Sequence, residues 1–182
     1  LNTNTFLFIG AYRPPYDHKN IELLIEIFND LPDYHLIIIG KDTEKLKSRA
    51  KENIEIKGFV EDKDEYYKKA TYYIHLPKYE AGPITLLEAI TAGLIPITNN
   101  NAGHHTIVKR VNQKLIINAD ATAEEAAKKI QEIEEIPLKE KQEISKTFKK
   151  LGRSHYGKEE MTEKFNKTWQ RLLQRIQENK NN

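Results

Sequence analysis

Residues 72–98 read YYIHLPKYEAGPITLLEAITAGLIPIT, and this stretch decides the fold. Tyr72–Leu76 (YYIHL) is a short, continuously apolar run of the kind a strand covered on both faces requires. Pro83 suits a first helical position, where a missing amide costs nothing because that amide has no partner in a helix. Leu94–Thr98 (LIPIT) is apolar and β-branched again. A strand, a turn, a helix and a second strand in this order make a right-handed crossover between parallel neighbours.

The same alternation extends outward in both directions. Thr5–Ile9 (TFLFI), His35–Ile39 (HLIII), Ile54–Lys57 and Lys114–Ile117 are the other candidate strands. Ile21, Leu24, Ile25, Phe28 and Leu31 share one face of a helix over 21–31, with Asn20 placed as its N-cap. Thr122-Ala-Glu-Glu125 has capping-box spacing, and Pro137 again suits a helix start. The expected class is α/β: a Rossmann-like three-layer domain with a six-stranded parallel sheet in the order 3-2-1-4-5-6 and extra C-terminal helices. One domain is expected over 1–182, the sheet part reaching about residue 135 and the C-terminal helices covering about 137–178. Met161, Phe165, Trp169, Leu172 and Ile176 form an apolar stripe on the last helix, expected to pack against the sheet domain, with docking onto something outside this chain as the alternative. Residues 178–182 are expected to fray.

The bulk properties exclude several classes. At 182 residues the chain can bury about 70% of its unfolded surface without a disulfide or metal staple. Absence of cysteine removes disulfides, thiolate metal sites and cysteine nucleophiles. Net charge is +2, from 29 basic and 27 acidic residues interspersed along the chain, so bulk electrostatics do not suggest nucleic acid. No apolar run approaches the ~20 residues of a membrane span, and no secretory signal opens the chain. The expectation is a cytoplasmic protein, with contact to the inner face of the membrane left open.

In such a sheet, ligands bind beyond the carboxyl ends of the strands, which directs attention to residues 10–20, 40–42, 58–60, 77–88 and 99–105. Glu80 and Glu88 flank the Gly82-Pro83 turn, and the amides of Ile84 and Thr85 sit at a helix start that attracts phosphate. Carboxylates accept bonds from vicinal hydroxyls, so a sugar or a ribose is a fitting partner. On spacing alone, two ordinary surface glutamates remain the competing reading. His104 and His105 are adjacent and point apart, which disfavours a shared metal ion, and His75 at a strand end fits a packed histidine better than a base.

Glu80-x7-Glu88 followed by Ala89-Ile-Thr-Ala-Gly-Leu-Ile-Pro96 resembles the hallmark of retaining GT-B glycosyltransferases, glycosyltransferase family 4 above all. The resemblance also covers the first strand ending in Gly10, His18-Lys19-Asn20, Leu36–Gly40, Ile56-Lys-Gly-Phe-Val60 and the 99–108 loop. It implies a domain that binds the donor, a UDP- or GDP-type nucleotide-diphosphate sugar, with no other cofactor and no metal. Within it, Glu88 would bind the ribose and Glu80 would orient the transferred sugar. Gly10, Gly40, Gly82, Pro83, Ile84 and Thr85 would line the donor, and Gly58, Phe59 and Val60 would lie along the base. Lys19 would contact the diphosphate, where a cation stabilises the charge that develops as the glycosidic bond breaks. The catalytic set implied is Glu80, Lys19 and Arg13.

Several residues depart from the family pattern. Ala11 stands where relatives carry an arginine, and Arg13 is the candidate replacement, since a guanidinium grips phosphate in two places. Lys78 replaces a small residue, the interval from Pro77 to Glu80 is one residue short, and Thr106 stands where relatives often have Glu. The resemblance places an acceptor domain before a domain of this kind, and that half is expected to be absent from this chain. The isolated domain is therefore expected to transfer little or no sugar, the acceptor being a glycan or a lipid-linked saccharide. A non-catalytic nucleotide- or partner-binding module is the alternative, favoured by Ala11, and a sugar-nucleotide epimerase of the same architecture is a third reading.

Overall fold

A computed structural model describes residues 4–180. Its strands are β1 (Thr5–Ile9), β2 (His35–Ile39), β3 (Ile54–Gly58), β4 (Tyr72–His75), β5 (Ile95–Asn99) and β6 (Ile116–Ile117). They form one sheet in the order β3-β2-β1-β4-β5-β6, every adjacent pair parallel. This is the expected Rossmann-like architecture, strand for strand. The strands are continuously apolar because helices cover both faces: Phe6, Leu7, Phe8, Leu36, Ile38, Tyr73 and Ile74 are fully buried. Each such side chain contributes about 1.5–3 kcal/mol relative to exposure. Order reverses at β1, whose neighbours are β2 on one side and β4 on the other, so the switch point lies beyond the ends of β1 and β4.

The helices are α1 (Ile21–Asn29), α2 (Asp64–Lys69), α3 (Ile84–Ala92), α4 (His105–Val111), α5 (Ala123–Glu134), α6 (Leu138–Tyr156) and α7 (Lys158–Lys180). α1 packs with α5 and α3 with α6. Ile144 and Phe148 carry α6 into the main core, and Ser145 donates to the Gly93 carbonyl at 2.6 Å, so α6 is continuous with the sheet domain. The Thr122–Glu125 capping box forms with both of its hydrogen bonds.

Three local expectations need correction. Asn20 precedes α1 but does not cap it: its backbone is left-handed (φ 61°) and its side chain donates to the Leu76 carbonyl at 3.2 Å. The free amide of Glu22 is taken instead by Asp17 Oδ2 at 2.9 Å. β6 is only two residues long, because Lys114 and Leu115 belong to a 3-10 turn. The α7 stripe does not pack on the sheet domain: Met161, Phe165, Trp169, Leu172 and Ile176 are all exposed. Gly157 breaks the helix with extended backbone, and α7 leaves α6 there with its apolar side uncovered. α7 runs through Lys180, and the rest of the stretch expected to fray, residues 181–182, lies outside the described residues.

Candidate functional site

Three loops converge at the switch point, and backbone hydrogen bonds hold them. The amide of Lys78 donates to the His18 carbonyl at 2.8 Å, joining the loop after β4 to the loop after β1. On the other side, the Glu80 amide donates to Asn101 O at 3.1 Å and the Gly103 amide to Glu80 O at 2.7 Å. Buried Asn99 locks the same junction through a 2.9 Å bond to the Pro77 carbonyl. Gly103 is obligatory here, since a Cβ would lie 1.6 Å from the Ala81 carbonyl oxygen. Glu80 is thus fixed on both sides by backbone contacts before its side chain does anything.

That side chain forms an ion pair with Lys19, the two groups each about one-fifth exposed. Burial pushes the Glu80 carboxyl up, but the Lys19 hydrogen bond and charge outweigh it and leave the group below the usual carboxylate range. Glu80 is therefore anionic, and Lys19 reaches the switch point from the opposite loop. Four residues beyond Glu80, α3 begins at Ile84 after Pro83 in extended backbone. The first amides of α3 have no partner within the helix and give that end a partial positive charge. The Thr85 hydroxyl is turned inward, paired with Tyr73 OH at 2.6 Å, which leaves its backbone amide as the group at the helix start.

Glu88 lies farther along α3 and is part of a second cluster. Its Oε2 accepts hydrogen bonds from Lys63 Nζ and Tyr67 OH, each at 2.8 Å. Burial raises this carboxyl as well, while the bonds from Lys63 and Tyr67 bring it to a net value below the ordinary range. The two glutamates are thus separate anionic acceptors, one on the loop and one on the helix.

The strand-end glycines act through backbone packing. The Gly10 amide donates to Ile39 O and the Gly40 amide to Gly58 O, both at 2.8 Å, so the ends of β1, β2 and β3 are tied in series. Gly40 has φ +152°, and a Cβ there would sit 1.9 Å from the Gly10 carbonyl oxygen. Phe59 is exposed and Val60 packs partly on the core. Among the described residues outside α7, the large apolar side chains left most open are Tyr16, Phe59, Tyr79 and Ile84, between 71% and 80% exposed, and all four follow strand ends. Arg13 is exposed on the same loop as Lys19, and among the described residues no hydrogen bond or ion pair ties it to Lys19 or Glu80.

His75 ends β4 fully buried, its ring 5.9 Å from Phe8 and 6.2 Å from Tyr73. Burial, with the Lys19 charge second, pushes its pKa down to about 3, so the ring is neutral. Among the described residues neither ring nitrogen has a partner. His105 Nδ1 lies 2.7 Å from the Ala102 carbonyl, and Thr106 is on α4. Among the described residues no three His, Cys, Asp or Glu side chains gather, and no helix is long and apolar enough to cross a membrane.

Asp17, Asn99, Gly103, Lys63 and Tyr67 were absent from the sequence-derived site. Asp17, Asn99 and Gly103 lie within the 10–20 and 99–105 segments that the fold singles out, whereas Lys63 and Tyr67 lie outside every such segment.

The site thus brings a lysine, a glutamate and a helix start together at the switch point of a parallel six-stranded sheet. The sequence matches the family described as glycosyl transferases group 1 over residues 1–151, and the chain belongs to that family. Its fold is that of the C-terminal domain of GT-B glycosyltransferases. No curated protein matches the chain. Among solved structures, the catalytic domain of cholesterol-α-glucosyltransferase from Helicobacter pylori is 24% identical with a TM-score of 0.66, over 81% of this chain and 97% of that one. A glycosyltransferase from Rickettsia africae is 17% identical with a TM-score of 0.78, over 95% of this chain and 48% of that one. Anabaena HepE, solved in complex with UDP-glucose, is 13% identical with a TM-score of 0.78, over 93% of this chain and 49% of that one. The chain thus spans about half the length of the latter two.

Proposed function

We propose that this chain is the donor-binding domain of a retaining glycosyltransferase of family 4 type, taking a nucleotide-diphosphate sugar. The observation that carries the reading is the Lys19–Glu80 pair at the switch point, four residues before the start of α3. Glu80 orients the hydroxyls of the sugar. The Gly82–Thr85 backbone and Lys19 take the diphosphate, and Arg13 swings in as the second cation. Glu88 accepts the ribose hydroxyls, and the base lies along Gly58, Phe59 and Val60. As the anomeric bond breaks, its electrons pass to the diphosphate oxygen, where Lys19 and the helix dipole stabilise the new charge. The acceptor hydroxyl attacks on the face the diphosphate leaves and gives its proton to the departing phosphate oxygen. The acceptor, a glycan or lipid-linked saccharide, is held by an N-terminal domain across the cleft, so this domain alone transfers little or no sugar. UDP is the favoured nucleotide, because a structural neighbour was solved with UDP-glucose. The reading as a non-catalytic module rests on Ala11 alone, and the anionic Glu80 paired with Lys19 weighs against it.

Calorimetric titration with UDP, GDP and their sugar conjugates tests this. One nucleotide should bind, and Glu88→Ala should lose about 1.5–3 kcal/mol of that affinity. A folded sample that binds neither nucleotide, or equal affinity in Glu88→Ala, contradicts the assignment.

A further inference from the structure

Glu88 is held by the neighbouring helix. Lys63, immediately before α2, and Tyr67, one turn into it, approach the same carboxylate oxygen, Oε2, at 2.8 Å each. One carboxylate oxygen offers two lone pairs, and both of these are in use. Among the described residues no hydrogen bond reaches Oε1, which is left as the oxygen with free capacity. Tyr67 is mostly buried, and burial followed by the bond to Glu88 pushes its hydroxyl far above its ordinary range, so it stays a donor. Lys63, Tyr67 and Glu88 border, together with Arg153, Tyr156 and Met161 of the last two helices, an open cleft of about 640 Å³, large enough for a pentose.

We propose that Lys63 and Tyr67 are positioning residues that clamp Oε2 of Glu88 so that Oε1 meets a ribose hydroxyl, and that this clamp sets a preference for ribonucleotides over 2′-deoxyribonucleotides. The proposal rests on Glu88 being the ribose ligand. A free glutamate has three rotatable bonds to order when a ligand arrives, and here the fold has already ordered them. Two donors on one oxygen also fix the rotation of the carboxylate plane, which a single bond would leave loose. Lys63 has a second effect: its charge keeps the carboxylate ionised, so the group presents only acceptors to the sugar.

The test compares UDP with 2′-deoxy-UDP by calorimetry, with GDP and 2′-deoxy-GDP used if the domain takes guanine. The native chain, Tyr67→Phe, Lys63→Met and Glu88→Gln are titrated, with thermal unfolding as the check of folding. Tyr67→Phe keeps the buried ring and removes only the hydroxyl. It should weaken the ribonucleotide by on the order of five- to tenfold and leave the deoxynucleotide little changed. Lys63→Met should reduce the same ratio and shift the acid limb of ribonucleotide binding to higher pH, because Glu88 then protonates more readily. A merely structural role for either residue would weaken both nucleotides equally. An unchanged ratio in both variants, alongside a lost ratio in Glu88→Gln, overturns the clamp and spares the ribose assignment. An unchanged ratio in Glu88→Gln overturns the ribose assignment and the clamp with it.

Discussion

Two lysine–glutamate pairs mark opposite ends of β4, and they differ in what surrounds them. Lys19 and Glu80 meet beyond its carboxyl end, each one-fifth exposed, on loops joined by backbone hydrogen bonds. Lys141 and Glu134 meet near its first residue, at 4% and 9% exposure. Lys141 also donates to the Glu134 carbonyl at 2.7 Å and lies 5.8 Å from the centre of the Tyr72 ring. The second pair is closed: its lysine is spent on protein atoms and has no room for a ligand. The first is open to solvent and to a third partner, and it stands where a parallel sheet binds ligands. The same two residue types thus make a closed joint in one place and an open pair at the candidate site in the other, and burial separates the two.

The largest expected effect tests the closed pair. Lys141→Met leaves a buried, unpaired carboxylate and should lower stability by about 3–5 kcal/mol, read by urea unfolding, with nucleotide affinity of the folded fraction unchanged. A loss below about 1 kcal/mol, the range of exposed pairs, would erase the distinction between the two ends. Next comes the open pair. Lys19→Ala should cost less stability than Lys141→Met, about 1–3 kcal/mol, because the Glu80 carboxylate it leaves unpaired keeps one-fifth of its surface in water. It should weaken UDP by about 1.5–3 kcal/mol while leaving uridine alone, since only the diphosphate meets the ammonium. Equal losses for UDP and uridine would move Lys19 away from the phosphates.

A third effect is a pH dependence beside the open pair. His75 titrates near 6.5 when unfolded and is pushed down to about 3 by burial in the fold. Between these values the unfolded chain binds a proton that the native chain refuses, so the contribution is full above about pH 6.5 and is lost as pH falls toward 3. Glu80, with a lowered pKa, adds in the same direction, its contribution fading as pH falls through its folded value. His75→Phe should therefore flatten the decline in unfolding free energy between pH 6.5 and 4. An unaltered slope would mean that the ring gains a partner on protonation.

The strands were legible because a parallel sheet demands continuous apolar runs, and TFLFI, HLIII and YYIHL have no other use. β6 was overestimated because Leu115 looks like strand but is spent in a tight turn before the pairing starts. Lys19 and Glu80 were also legible, and the structure joins them. What holds Glu80 was not, since the bonds from Glu80 to Asn101 and from Gly103 to Glu80 are backbone bonds and leave no trace in side-chain type. Lys63 and Tyr67 lie in DKDEYYKK, which reads equally well as a solvated helix face. The α7 stripe shows the limit of periodicity. An amphipathic pattern tells which face seeks cover, and Phe165 and Trp169 are stacked on each other at 6.4 Å with the sheet domain elsewhere.

The role proposed for the open end of β4 is to bind a nucleoside diphosphate through Lys19 and the start of α3. The most direct measurement is a map of backbone amide resonances as UDP is added to the isotope-labelled chain. The largest shifts should fall at Gly82, Ile84 and Thr85, with Lys19 and Glu80 following and residues 138–150 unmoved. Shifts confined to α7, or spread evenly with none at the start of α3, would contradict it.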